Sequence, residues 1–295
     1  MPDERRFGMK PPGRRILLPL VLLGGFFFFP SVLSAQEADA DPVLLGPAAA
    51  PAASSGLFGA LGNEARLYLD DASVLFTAPL RWGAGDRTRA AGVALLVGGL
   101  MVFDNRLAHE SQEQRSTLTN RISRATTGFG SGDALALCGG LVASGLAFHD
   151  QRLTLMGREA IEASVLTAII TGAIKPVVGR VRPAASENRT AFEPGSSNYS
   201  FPSGHSTEAF AVASVVAARS SGWVVPTLAY TAATLVAFDR VNDRAHFPSD
   251  VVAGAAIGVA VGRFLVHRHE NALETPRVDV SVTALPGGLG LVARF

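Results

Sequence analysis

Six uncharged, apolar stretches constrain the fold of this sequence more than any other feature. They cover residues 90–103, 134–148, 163–174, 209–218, 220–238 and 251–262. Apolar runs of this kind, separated by polar turns, are typical of packed helices. The 31 glycines of the chain suit close contact between helix backbones. The sequence therefore predicts an all-α bundle with about six core helices, and a separate polar, amphipathic helix over residues 110–127.

The length of these runs bears on whether the bundle lies in a membrane. A spanning helix needs roughly 20 apolar residues, and only the run at 220–238 reaches that length. Charged side chains at helix ends can lengthen a span by lying at the interface. Charged residues make up 17% of the chain, against roughly 25% in ordinary soluble domains. We expect a membrane-embedded bundle, with a soluble helical domain as the alternative.

The N-terminal residues 1–35 have the features of a secretory signal. Cationic residues precede an apolar run at 16–30, and Ala35 is a small residue at a suitable cleavage position. The run is about 15 residues long, short for a span, so we expect cleavage rather than an uncleaved anchor. Export places the chemistry of the chain outside the cytoplasm.

The rest of the chain divides into three parts. Residues 36–84 are a linker followed by an amphipathic segment, residues 85–270 form the main helical domain, and residues 271–295 form a tail. Alternating apolar and polar residues on both sides of Pro286 predict a short β-hairpin in this tail. The net charge of +1, without a basic stripe, gives no support to nucleic-acid binding.

Three polar clusters interrupt the apolar region between residues 175 and 250. The first contains Lys175 and Arg182, which lie seven residues apart, or two turns on one helix face, with Arg180 between them. An ammonium and a forked guanidinium together are suited to binding an anion. Taken alone, the cluster is equally compatible with a cationic helix end.

The second cluster is the tetrapeptide that begins at Pro202. Ser203 is a suitable N-cap for the helix that follows, and the free N–H groups of a first helical turn bind anions. Gly204 allows an anion to approach the backbone closely. His205 would stand beside that anion, where it can act as a general acid. An ordinary helix start is the alternative interpretation.

The third cluster contains Arg240, His246 and Asp250. A histidine four residues before an aspartate can donate its Nδ1–H to the carboxylate across a turn, which leaves Nε2 free as a nucleophile or base. A solvent-exposed polar loop is the alternative for this cluster taken alone.

In this order the three clusters resemble the signature motifs of the type 2 phosphatidic acid phosphatase (PAP2) superfamily, which also includes bacterial class A acid phosphatases and vanadium haloperoxidases. The resemblance covers roughly residues 90–267. One departure is that the third motif usually begins Ser-Arg, whereas here it begins Asp239-Arg240. The carboxylate beside Arg240 is expected to weaken the pull of that cation on a bound anion.

The resemblance implies a PAP2-type helical fold and a role for each site residue. His246 would attack phosphorus and form a phosphohistidine, Asp250 would orient it, and His205 would protonate the leaving oxygen. The non-bridging oxygens would be held by Lys175, Arg182, Ser203, Gly204 and Arg240. The resemblance implies no metal and no other cofactor.

These motifs lead us to expect a phosphatase that acts on a lipid phosphomonoester or pyrophosphate, in a bacterial inner membrane, with its site on the periplasmic side. A soluble periplasmic acid phosphatase acting on small phosphoesters is the first alternative. A vanadium haloperoxidase and a non-catalytic helical membrane protein are more distant ones. The sequence leaves the oligomeric state open.

A few remaining residues carry weaker expectations. Arg189, Phe192 and Tyr199 lie in the loop of about twenty residues between the first two clusters, and they are candidates for a substrate lid. His267 and His269 are expected to be interfacial or solvated. Cys138, the single cysteine, is expected to be a small buried hydrophobe.

Overall fold

The computed structural model describes residues 57–126, 132–186, 188, 190–195, 199–274, 279–285 and 288–294. The predicted signal at 1–35 and linker at 36–56 lie outside these residues, as does Arg189. Within them the chain forms eight α-helices: α1 (Leu57–Thr77), α2 (Ala84–Glu113), α3 (Thr117–Thr126), α4 (Gly132–Ala147), α5 (Gln151–Val178), α6 (Gly204–Arg219), α7 (Val224–Asn242) and α8 (Pro248–Glu274). A 3-10 turn, Ala78–Arg81, joins α1 to α2. Strands β1 (Asp279–Leu285) and β2 (Gly288–Arg294) pair antiparallel, which confirms the predicted all-α bundle with a C-terminal hairpin.

Helix α2 is longer than the sequence predicted, and α3 is shorter. The expected break before residue 110 is absent because the polar stretch that follows the apolar run continues the helix to Glu113. An Arg106–Glu110 pair with 3.0 Å between Nε and Oε1 supports this last part at the favourable i,i+4 spacing. The polar helix predicted over 110–127 is therefore confined to Thr117–Thr126.

Helix α6 lies at the centre of the bundle and packs against α5, α7 and α8. Its contact with α8 depends on Gly254, Gly258 and Gly262, which occupy one face of α8 at four-residue spacing. A Cβ on Gly258 would lie 2.2 Å from the Thr207 carbonyl oxygen, so only hydrogen fits between the backbones. The same small-residue packing is common between helices in membranes.

Three helices are long and apolar enough to cross a membrane: α2, α5 and, within α8, Pro248–Asn271. The expectation that residues 220–238 form the one run of spanning length is wrong, because α7 begins only at Val224 and its last turn carries Arg240. Only 11% of the most apolar part of α2 is buried, and Leu95 is 77% exposed. So much exposed apolar surface indicates contact with lipid.

Successive helices alternate in direction, which brings the three polar clusters to one end of the bundle. At that end Arg180 contacts Asp104 of α2 and Asp250 of α8. At the opposite end Asp71 of α1 contacts His269. His267 is exposed there, as expected, whereas His269 is only partly exposed, because its ring is held between buried carboxylates. Cys138 is fully buried, as predicted.

Candidate active site

His246 lies in the connection between α7 and α8 and is 3% exposed. Its Nδ1 is 2.6 Å from the carbonyl oxygen of Ser200. A carbonyl only accepts hydrogen bonds, so Nδ1 carries the proton and Nε2 is left with its lone pair. This is the tautomer that a nucleophilic histidine needs.

The predicted hydrogen bond from His246 to Asp250 is not present. The distance from Nδ1 to Oδ2 is 3.9 Å, too long for a hydrogen bond. The four-residue spacing predicted a contact on one helix face, but α8 begins at Pro248, so His246 precedes the helix and its ring turns towards Ser200.

Asp250 acts on His246 through its neighbours instead. Its Oδ2 accepts the backbone N–H of Phe247 at 2.8 Å and the hydroxyl of Ser200. Ser200 therefore bonds to the carboxylate with its hydroxyl and to the imidazole with its carbonyl. The carboxylate contacts the two backbone segments beside the ring, at Ser200 and Phe247, which is the geometry expected of a residue that positions His246.

Arg180 and Asp104 complete this arrangement, and neither was among the predicted site residues. Both side chains have no exposed surface. Arg180 Nη1 is 2.5 Å from Asp250 Oδ1, and Arg180 Nη2 is 2.7 Å from Asp104 Oδ2. Asp104 also accepts the backbone N–H of Ser249 at 3.0 Å. The signal that could have identified Asp104 is a single carboxylate at the end of an apolar run, since ionisable residues in such segments usually have a functional role.

The three predicted anion-binding cations surround the two histidines. Lys175 lies in the last turn of α5 and Arg240 in the last turn of α7, where Arg240 pairs with Asp239, the carboxylate expected beside it. Arg182 donates from Nε to the Tyr199 carbonyl at 3.1 Å. Lys175 and Arg240 thus lie on different helices but at the same end of the bundle, together with Arg182.

The electrostatic effect of these cations appears in both histidines. Burial, followed by the charges of Lys175 and Arg182, holds the pKa of His246 well below 6.5. Burial and then the charges of Arg240, Lys175 and Arg182 lower the pKa of His205 to about 4. Both rings are neutral at neutral pH, and the site is strongly attractive to a phosphate group.

The N-terminus of α6 faces the same site. Ser203 is fully buried and is the N-cap, with its Oγ 3.5 Å from the Ser206 backbone nitrogen. Its own N–H donates to the carbonyl of Asp250 at 3.0 Å, which ties α6 to α8. A Cβ placed on Gly204 would be 4.0 Å from Lys175 Cε, so this glycine adjoins the cationic side chain.

The loop between the first two clusters is not structureless. Ser200 N–H donates to the Arg180 carbonyl at 2.6 Å, and Val181 N–H donates to the Ala191 carbonyl at 2.9 Å. Bridges pair Arg180 with Phe192 and Val181 with Tyr199. These bonds explain how the distant Ser200 reaches His246. A lid role for Phe192 and Tyr199 stays a prediction.

Comparison with known proteins gives a family match and two curated relatives. Residues 158–274 match the family model of the PAP2 superfamily. A lipid A 1-phosphatase from Porphyromonas gingivalis is 38% identical over 72 residues, which is 23% of this chain and 16% of the relative. An undecaprenyl-diphosphatase from Sulfolobus acidocaldarius is 35% identical over 97 residues, 32% of this chain and 47% of the relative. The chain thus spans less than half the length of these curated relatives.

The fold has a counterpart among solved structures. The crystal structure of a transmembrane PAP2-type phosphatidylglycerolphosphate phosphatase from Bacillus subtilis superposes with a TM-score of 0.50 at 22% identity, covering 61% of this chain and 96% of that chain. The common fold and the apolar helices α2, α5 and α8 mark a membrane protein. Over residues 158–274, this membrane protein is similar to the PAP2 superfamily.

Proposed function

We propose that this protein is a phosphatase that hydrolyses a phosphomonoester or pyrophosphate group of a lipid through a phosphohistidine intermediate. The observation that carries the proposal is His246, a buried imidazole whose Nδ1–H is fixed on Ser200 and whose Nε2 is free to attack. Three cations beside it match the charge of a phosphoryl group. Phosphoryl transfer needs little besides such positioning and charge stabilisation.

The proposed reaction has two steps. In the first, Nε2 of His246 forms a bond to phosphorus while the bond from phosphorus to the leaving oxygen breaks, and His205 gives its proton to that oxygen. In the second, water attacks the phosphohistidine, its proton returns to His205, and the P–N bond breaks to release phosphate. Lys175, Arg182 and Arg240 neutralise the charge that gathers on the non-bridging oxygens in both steps.

Substrate binding supplies the proton state that the first step requires. Burial and the neighbouring cations lower the pKa of His205 to about 4, so the ring is neutral at neutral pH. A phosphate group brings negative charge next to it, and a nearby opposite charge favours the protonated imidazole. The acid is therefore charged mainly when a phosphate is bound.

A lipid substrate is supported by the membrane setting. The site lies at one end of helices long enough to cross a bilayer, where a lipid headgroup would be found. The two curated relatives are named for lipid A 1-phosphate and undecaprenyl diphosphate, both phosphorylated lipids.

A hydrolysis panel tests the proposal. Protein purified in detergent would be assayed on phosphatidic acid, undecaprenyl pyrophosphate, lipid A and p-nitrophenyl phosphate, as wild type, as His246→Ala and as the control His267→Ala. We expect a lipid to be preferred, His246→Ala to be inactive and His267→Ala to be unaffected. Unchanged hydrolysis by folded His246→Ala contradicts the mechanism. A preference for the soluble ester without detergent favours a class A-type acid phosphatase.

We also propose that the protein is exported to a bacterial inner membrane with its site facing the periplasm. Because α1 lies at the end opposite the site, a periplasmic site puts α1 on the cytoplasmic side, whereas a cleaved signal at residues 1–35 would deliver α1 to the periplasm, so the labelling described next also decides between these two expectations. The buried Cys138 is the single native cysteine, so labelling of introduced cysteines is clean. A membrane-impermeant maleimide should label Asn188→Cys in intact cells and not Ser221→Cys; the reverse result places the site on the cytoplasmic side.

A further inference from the structure

A second buried polar cluster lies at the opposite end of the bundle, and we propose that it binds a divalent transition-metal ion of the Zn²⁺ type. Asp71 of α1, Glu162 of α5 and His269 of α8 form it, with candidate ligand atoms all within 4.8 Å of one another. His269 follows Asp250 by 19 residues on α8, which is about 28 Å along a helix. The cluster is therefore separate from the phosphatase site and does not rest on the proposed function.

The donor atoms are those that Zn²⁺ takes in proteins, two carboxylates and one imidazole. His269 Nε2 is 3.0 Å from Asp71 Oδ2 and 3.8 Å from Glu162 Oε2, so the three side chains converge on one point. Three protein ligands leave a fourth tetrahedral position for water.

The other ring nitrogen of His269 has the partner that a metal-binding histidine usually has. Nδ1 is 2.9 Å from Glu159 Oε1, and a carboxylate at this position fixes the ring so that Nε2 faces the metal. Glu159 is itself held by Arg219, whose Nε and Nη2 lie 2.8 Å and 2.6 Å from the two carboxylate oxygens. This outer shell sets the orientation of His269 before any ion arrives.

The buried carboxylate of Glu162 points to a bound ligand. It is 2% exposed, and its Oε1 is buried without a hydrogen-bond partner among the residues that the structure describes. Its Oε2 is beyond hydrogen-bonding distance from His269. Glu162 shares a hydrogen bond with Asp71, but its Oε1 is left without a partner among the described residues, a costly state for a buried carboxylate oxygen. A cation among the three side chains removes that cost.

The charges around the cluster also fit a divalent ion. Four carboxylates face two guanidiniums there: Asp71, Glu159, Glu162 and Glu270 against Arg219 and Arg268. This leaves two negative charges before His269 is counted. A divalent ion bound by a neutral imidazole balances them when all four carboxylates are ionised.

Such an ion would connect three helices from distant parts of the sequence. Asp71 is the buried carboxylate of α1, and coordination would join it to α5 and α8 at the membrane face away from the phosphatase site. The expected role is structural, a clamp that holds α1 on the bundle.

Metal binding to the full-length, detergent-purified protein tests the proposal. After EDTA treatment and dialysis into phosphate-free buffer, Zn²⁺ would be titrated calorimetrically, and Co²⁺ would report tetrahedral coordination by its visible absorption. We expect one Zn²⁺ per chain and a raised midpoint of thermal unfolding. Glu162→Gln and Asp71→Asn, which keep side-chain shape, should each weaken Zn²⁺ binding at least about tenfold.

Two variants control for other histidines. His267→Gln removes the exposed neighbour of His269, and His246→Ala removes the buried imidazole of the phosphatase site; both should bind Zn²⁺ as the wild type does. Three results overturn the proposal: a wild type that does not bind Zn²⁺ at micromolar concentration, binding that survives both Glu162→Gln and Asp71→Asn, or binding lost in either control.

Discussion

Arg180 is the buried cation on which the geometry of His246 depends, and replacing it with lysine tests that dependence. The guanidinium donates to Asp104 Oδ2 at 2.7 Å, Ser249 Oγ at 2.7 Å and Asp250 Oδ1 at 2.5 Å, and its Cζ stacks 4.2 Å from the ring centroid of Phe247. Lysine keeps the charge but lacks the planar fork that reaches two carboxylates at once.

The size of the effect follows from these contacts. Arg180→Lys loses one hydrogen bond between charged groups, about 1.5–3 kcal/mol, and the stacking on Phe247, about 0.5–2 kcal/mol. We therefore expect the free energy of unfolding to fall by about 2–5 kcal/mol. Because Asp250 then holds the backbone around His246 less firmly, kcat should fall roughly 10²-fold, the usual effect of a small misplacement of a reacting group.

The assay combines chemical denaturation in detergent with turnover of a lipid phosphate. Arg106→Lys is the matched control, since Arg106 is 58% exposed and pairs with Glu110 one turn further along α2. The control should change the unfolding free energy by less than about 1 kcal/mol and leave kcat unchanged. If Arg180→Lys changes stability and kcat no more than the control does, the positioning role assigned to Arg180 is refuted.

Two further predictions concern helix packing and pH. Gly258→Ala puts a Cβ 2.2 Å from the Thr207 carbonyl oxygen and should lower the free energy of unfolding by about 1–3 kcal/mol. The control Gly172→Ala adds a Cβ with nothing within 4 Å and should be tolerated. Equal melting temperatures of the two variants would contradict the close α6–α8 contact. By NMR, His205 should titrate near the pKa of about 4, and Arg240→Gln should raise that pKa because Arg240 is the largest cationic contributor. A general acid loses its proton as pH rises through its pKa, so kcat/KM should fall above about pH 4. The value of kcat should persist to higher pH, because bound phosphate keeps the His205 ring protonated. Titration of His205 near 6.5 would contradict this reasoning.

The sequence was sufficient to predict the helical bundle and the chemistry-bearing clusters because both are local patterns. Lys175 and Arg182 lie two helical turns apart, and Ser203 directly precedes the helix that it caps. The order of the clusters along the chain, together with the resemblance to a known family, predicted which residues would meet. The roles of these residues in catalysis stay predictions until the variants are measured.

The sequence was insufficient where contacts depend on packing between distant segments. Asp104 is 76 residues from Arg180, and no periodicity links them until α2 packs against the other helices. His246 is a converse case, since its spacing from Asp250 suggested a direct bond, yet the position where α8 begins turns the ring to Ser200.

The buried end of α8 is a third case. His269 follows an exposed histidine in an H-x-H pattern, and two residues of helical rotation, about 200°, place the two rings on opposite faces of α8. Only the position of α1 and α5 shows that His269 meets Asp71 and Glu159 there.

Trapping of the covalent intermediate tests the central claim most directly. The detergent-purified protein would be mixed with a lipid substrate labelled with ³²P in the transferred phosphoryl group, quenched in alkali, where phosphohistidine survives, and mapped by proteolysis and mass spectrometry. We predict label on His246 in the wild type and in His267→Ala, and none in His246→Ala. Full hydrolysis without label on any histidine, or label that persists in His246→Ala, would contradict the account.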